Sequence, residues 1–249
     1  MLSALLAPLP HSPTAANPAE LLLPPSSDHW LGTNGVGTDV FSRTIKAADT
    51  DLPLALAGTV TALLIGVPLG IWLASSPRWG ERWMRILDAF QALPLLILIL
   101  ALVALSGNKV WMIVVAVAIY AAPVYIRLVR SQVLSLRESR FVEAARASGA
   151  SPYRVMRYHL LPNVREIVLA QTALVAAGAL LGITALSFLG IGVQPPTASW
   201  GSMISLDASS LVLGKWWTVA GPGGAIFLSI VAFNIIADGL RELGEERMR

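Results

Sequence analysis

The sequence predicts an all-α integral membrane protein, a polytopic helical bundle of about five transmembrane helices. Three observations carry that prediction. Of the 249 residues, 55% are apolar and 13% charged, whereas soluble domains are roughly one quarter charged. Five segments approach or exceed the roughly 20 apolar residues that cross the hydrocarbon core as a helix. Arginine, finally, concentrates in alternate connections between them, the pattern of positively charged cytoplasmic loops. The runs lack the two-residue alternation of barrel strands and are about twice too long for them.

Residues 1–51 are expected to be an extracytoplasmic segment, irregular because Pro, Ala and Ser dominate its first half. No basic residue precedes the apolar stretch Leu2 to Leu9, which argues against a signal peptide. The expected spans are Leu52 to Ala74, Ile86 to Leu105, Val110 to Val129, Ile167 to Leu186 and Trp216 to Leu240. Arg127 is close enough to the end of the third to reach the interface. Arg78, Arg82 and Arg85 follow the first span, and Arg130, Arg137, Arg140, Arg146, Arg154, Arg157 and Arg165 follow the third. With Arg241, Arg247 and Arg249 in the tail 241–249, these define the cytoplasmic side and a cytoplasmic C-terminus. The opposite side holds Arg43, Lys46, Lys109 and Lys215.

Between the third and fourth spans, residues 130–165 read as two short helices. Ser135 and Glu138 have the spacing of a capping box, and Gly149 suits the left-handed position past a helix C-terminus. Phe141, Ala144, Ala145 and Ser148 fall at i, i+3, i+4 and i+7, giving one face an aromatic followed by small residues. Ser151 and Pro152 supply an N-cap and first-turn pair for the second helix, and Pro162 is expected to stop it.

Several chemistries are excluded. Without cysteine there is no disulfide, thiolate ligand or Cys nucleophile. Gly214-Lys215 lacks the earlier glycine and following Ser or Thr of a phosphate-binding loop, so ATP hydrolysis by this chain is not expected, and no nucleophile elbow accompanies its serines. His11, His29 and His159 are far apart and on opposite sides of the expected topology, which predicts no metal site. Topology accounts for the net charge of +3, leaving no case for nucleic-acid binding.

Inside the spans Gln91, Gln171, Thr172, Thr184 and Asn234 are candidates for a translocation path or for glue between helices. Asp88 and Asp238 fall at cytoplasmic ends, as solvated or capping carboxylates. Gly66 with Gly70, and Gly178 with Gly182, have spacings that suit close helix packing, including packing against a second subunit.

The run Glu143-Ala144-Ala145, three residues, Gly149, and then Leu161-Pro162 twelve residues on from that glycine resembles the EAA motif of membrane-spanning subunits of ATP-binding-cassette importers. "YHLLPN", with His159, is similar to the form used by the dipeptide, oligopeptide and nickel branch; so are "HWLGTNGVGTDVFSR" at 29–43, "FLGIGVQPPTASWGSMI" at 188–204 and "DGLRE" at 238–242. The resemblance implies the type I ABC importer transmembrane-domain fold. It makes Phe141, Glu143, Ala144, Ala145, Ser148, Gly149, His159, Leu161 and Pro162 an ATPase-coupling segment. It also implies as partners a second permease, two ABC ATPase subunits or domains holding ATP and Mg, an extracytoplasmic substrate-binding protein and the lipid membrane. No cofactor is expected on this chain itself. Departures from the family pattern are Thr38 where an Arg is common, the run Lys46 to Asp51, and no counterpart before Leu52 of the family's first span. A membrane scaffold or assembly protein that retains the fold is the competing reading.

Overall fold

The computed structural model describes residues 9–248. Among these the regular structure is helical, apart from an isolated bridge between Thr33 and Asp39. The helices are α1 (Val40–Ser75), α2 (Pro77–Gln91), α3 (Leu95–Leu105), α4 (Val110–Arg137), α5 (Arg140–Ala147), α6 (Pro152–Val155), α7 (Leu161–Phe188), α8 (Trp200–Val212) and α9 (Trp217–Met248). A π-helical turn, Met156–Leu160, joins α6 to α7. Four helices are long and apolar enough to span a membrane: Val40–Ser75, Val110–Arg137, Pro152–Phe188 and Trp217–Gly244. The apolar stretch from Leu2 lies, apart from Leu9, outside the described residues, as does Arg249.

The expected second span is not one straight helix. It divides into α2 and α3, which meet at 83°. Pro94 occupies the N-cap position of α3, and its ring disfavours helical geometry at Leu93, so the chain turns there. Counted as one broken element, the pair brings the number of candidate spans to five. The α2 segment exposes Trp79, Trp83 and Ile86 along one face, while Arg127 Nη2 of α4 donates to Asp88 Oδ1 at 2.6 Å and to Gln91 Oε1 at 2.7 Å. Asp88 thus pairs with α4 while its side chain remains largely exposed, as expected of a solvated carboxylate.

The first helix begins at Val40, not at Leu52. Asp39 is its N-cap, with Oδ2 accepting from Ser42 N at 2.7 Å. This early start places Asp51 inside the helix, and the unusual run before Leu52 acquires a use. Asp51 Oδ2 accepts from Trp200 N at 2.8 Å and Ser199 Oγ at 3.2 Å, so α1 caps the N-terminus of α8. Trp200 returns the contact by donating Nε1 to the Thr44 carbonyl at 2.8 Å.

α1 lies directly on α4, because glycines remove the side chains that would hold them apart. A Cβ on Gly66 would fall 2.6 Å from Tyr125 Cβ and 2.8 Å from the Ala122 carbonyl, and one on Gly70 would fall 2.8 Å from Val129 Cβ. The Gly66–Gly70 stripe thus packs within the chain, not against a second subunit. Two apolar clusters result. One gathers Ile99, Ile113, Leu180, Ile183 and Trp200; the other joins Tyr125, Val129 and Val133 to Val142, Val155 and Leu160 of the segment after α4. Along α9, by contrast, Phe227, Leu228, Ile235 and Ile236 point outward, as suits a helix facing lipid or another apolar chain.

Residues 9–39 form turns seated on the ends of α1, α8 and α9. Trp217 Nε1 donates to the Thr33 carbonyl at 3.3 Å, and Gly35 N donates to Asp207 Oδ1 at 3.2 Å. Burial pushes the Asp207 carboxyl above the usual range, opposed by the Gly35 and Asn34 hydrogen bonds and by the Arg43 charge.

Candidate functional site

The segment between α4 and α7 is built as a helix, a glycine turn and a second helix that runs without a stop into the membrane. α4 continues through Ser135 to Arg137, so Ser135 and Glu138 are not a capping box; Ser139 is the N-cap position of α5. The helix propensity of "SLR", joined to the long apolar span before it, outweighs the capping alternative. α5 then carries Glu143 in its first turn, where a carboxylate complements the helix dipole.

The α5 C-terminus is a Schellman turn. Gly149 has φ +82°, its N–H donates to the Arg146 carbonyl at 2.9 Å, and Ala150 N donates to the Ala145 carbonyl at 3.0 Å. Ala145 and Ala150 both pack against the cluster of Val133, Val142, Val155 and Leu160. Val142 is fully buried there; burying a valine side chain contributes about 1.5 kcal/mol or more. Phe141, Glu143, Ala144 and Ser148 are exposed, so the face left to a partner is Phe141, Ala144 and Ser148, with Ala145 turned half inward.

Ser151 caps the next turn, its hydroxyl accepting from Arg154 N at 3.3 Å, and Pro152 occupies the first turn. Pro162 does not stop this helix. The backbone widens into the π turn, in which Leu161 N donates to the Met156 carbonyl, before Pro162, whose ring crowds the preceding turn and has no N–H to give. Asn163 Nδ2 takes up the His159 carbonyl at 2.5 Å. The outcome is one bent element, Pro152–Phe188, that reaches from the glycine turn through the membrane. His159 stands half-buried beside Phe141, ring centroids 6.3 Å apart, which ties the two short helices together. Leu161 and Pro162 line an apolar groove of about 420 Å³ with Leu63, Val67 and Val168. The glycine turn is legible in the sequence; the π turn is not, because no residue type marks it.

The candidate path residues are not gathered into one site, and none of the five hydrogen-bonds to another. Gln91 is held by Arg127; Thr172 donates to Val168 O at 2.7 Å, Thr184 to Leu181 O at 3.0 Å and Asn234 to Ile230 O at 2.8 Å, each within its own helix. Gln171 lines a cavity of about 390 Å³ with Gln132, Glu166 and Arg241. Gly178 faces open space, where a Cβ would meet nothing within 4 Å.

At the other end of the bundle the fold brings together residues that sequence distance keeps apart. His11, His29 and Asp39 each offer a donor atom, all within 4.8 Å of one another, which corrects the expectation of no metal-ligand cluster. The error lay in reading the histidines by sequence separation, since the N-terminal segment folds back on itself and on α1.

The structure is a polytopic helical bundle with a broken second span and a helix-turn-helix projection on its long central connection. The family model for the binding-protein-dependent transport system inner membrane component matches residues 66–249, and the chain belongs to that family. Its relatives include the dipeptide transport system permease protein DppC of Alkalihalophilus pseudofirmus, 38% identical over 100% of this chain and 83% of the relative. The probable D,D-dipeptide transport system permease protein DdpC of Escherichia coli is 37% identical over 94% of this chain and 78% of its own length. The di/tripeptide transport system permease protein DppC of Pseudomonas aeruginosa is 38% identical over 99% and 84%. The fold is that of a chain of the MetNI methionine ABC transporter in an inward-facing conformation, with TM-score 0.65, 17% identity, and coverage of 83% of this chain and 97% of that one. The protein is a multi-pass inner-membrane permease subunit of an ABC importer.

Proposed function

We propose that this chain forms, with a second permease subunit, the path by which di- or oligopeptides enter the cell, driven by two separate ATPase subunits that hold ATP and Mg and supplied by an extracytoplasmic binding protein. The observation that carries the coupling part is the exposed face of α5, Phe141, Ala144 and Ser148 with Glu143 beside it, on a helix whose other side is anchored in the chain's own core. Such a helix moves as a rigid body with whatever holds it, and π turn and α7 form one continuous element with the membrane part. Closure of the ATPases would thereby shift the balance between inward- and outward-open states. Glu143 is available for a charged or backbone donor on the ATPase. In this reading the projection and the C-terminus are cytoplasmic and residues 9–39 extracytoplasmic, as the arginine distribution requires. The names of the relatives favour peptides over a nickel chelate as cargo.

The test is purification in mild detergent through a tag placed after Arg249, combined with labelled-dipeptide uptake in a strain deleted for the gene. A second permease and ATPase subunits are expected to co-purify, and the restored gene to return uptake to the parental rate. Recovery of this chain alone after crosslinking, with uptake unaffected by the deletion, would favour the membrane scaffold instead.

A further inference from the structure

We propose that His11, His29 and Asp39 form a binding site for a divalent transition metal of the zinc class, which staples residues 11–29 to the start of α1. His29 and Asp39 are buried and paired, Nδ1 to Oδ1 at 2.8 Å, and the His11 ring lies over that of His29 with centroids 4.4 Å apart. Two imidazoles and one carboxylate are the donors that such ions prefer, while calcium or magnesium would call for oxygen ligands alone.

The surroundings argue for a ligand set beyond a histidine pair closed by one carboxylate. Metal-bound histidine characteristically gives its second nitrogen to a carboxylate or a backbone carbonyl. His11 Nε2 donates to the Asp28 carbonyl at 2.8 Å, which fixes the tautomer and leaves a lone pair on Nδ1. His29 Nε2 is 3.5 Å from Glu20 Oε2, leaving Nδ1 for the ion. Asp39 uses Oδ2 to cap α1 through Ser42 N, leaving Oδ1. Each of the three ligands thus has its other polar atom held from outside the cluster.

Tetrahedral bonds of about 2.0–2.1 Å separate donor atoms by roughly 3.3 Å. The His29–Asp39 pair is already close to that spacing, and the spread of 4.8 Å closes by rotation of His11, the half-buried member. Binding replaces the proton on His29 Nδ1 with the metal and leaves a fourth position for water. One ion would then tie together three points of a segment that, among its described residues 9–39, has no helix of its own.

The experiment uses the full chain in detergent, stripped with EDTA, titrated with zinc sulfate and desalted. Metal content is measured by mass spectrometry and unfolding by a thermal scan with and without zinc. The expected result is about one retained zinc per chain with a raised unfolding temperature. His11→Ala should abolish both retention and the rise in unfolding temperature that zinc produces, each variant being compared with its own zinc-free scan, and Glu20→Gln should weaken binding by about 10–100-fold, the usual effect of losing an outer partner. No retained zinc in the wild type, or equal retention by His11→Ala, would overturn the site and leave the His29–Asp39 pair as a plain hydrogen bond.

Discussion

Ala144→Arg is expected to abolish uptake while leaving the subunit inserted, folded and as abundant as the wild type. Ala144 lies on the outer face of α5, and its carbonyl already accepts from Ser148 N at 3.0 Å and Ser148 Oγ at 2.9 Å, bonds that a change of side chain leaves intact. Arginine is a good helix former, so α5 itself loses nothing. What changes is the surface offered to the ATPase. A long charged side chain replaces a methyl group where close approach is needed, and a poorly matched charge at an interface costs several kcal/mol. A loss of about 3 kcal/mol weakens docking roughly 100-fold. Ala145→Arg does not separate these effects, since Ala145 packs partly against the chain's own core and supplies the carbonyl that closes the Schellman turn. That variant should lose folded protein together with uptake. The measurement is labelled-dipeptide uptake normalised to the amount of subunit in isolated membranes, with ATPase co-purification alongside. Normal uptake by Ala144→Arg would remove α5 as the docking element.

How far the sequence reveals this molecule depends on how local each determinant is. Long apolar runs are local, so the helices at Val110–Arg137 and Trp217–Gly244 follow from hydropathy alone. A glycine at φ +82° is local too, and Gly149 marks its turn without reference to the rest of the chain. Proline is only half local. Pro94 breaks a span and Pro162 does not, although both follow an apolar residue. The difference is that the backbone before Pro162 widens into a π turn that runs on into α7, with the Asn163 side chain donating to the His159 carbonyl, whereas Pro94 begins a new helix at a steep angle. Tertiary partners are least legible. Asp51 reads as an oddly placed charge until α8 delivers the Trp200 N–H to it, and His11 reads as a lone histidine until the segment folds over His29.

Gly201→Ala should sharply lower the amount of folded subunit. Gly201 is in the first turn of α8, and a Cβ there would overlap the Thr184 carbonyl of α7 and come within 3.0 Å of Phe188 N. Both obstacles are backbone, so no side chain can swing aside; one helix must move. Overpacking of a core costs about 1–3 kcal/mol and more where the surroundings cannot yield. Here they are fixed on both sides. Asp51 Oδ2 holds the N–H of Trp200, Trp200 Nε1 is bonded to Thr44 O, and Met203 of the next turn is buried beside Ile183 and Leu186. Displacing α8 to admit the methyl group would lengthen these bonds, and a buried donor or acceptor left unsatisfied costs about 1–3 kcal/mol in turn. The fitting control is Gly239→Ala, where a Cβ would meet nothing within 4 Å and replacement of a helical glycine is neutral or mildly favourable. Thermal unfolding of the two purified variants, with the detergent-soluble yield of each, checks the contrast. A wild-type unfolding temperature for Gly201→Ala would mean that α8 does not rest on the α7 backbone, and that the Asp51 cap is not what holds α8 in place.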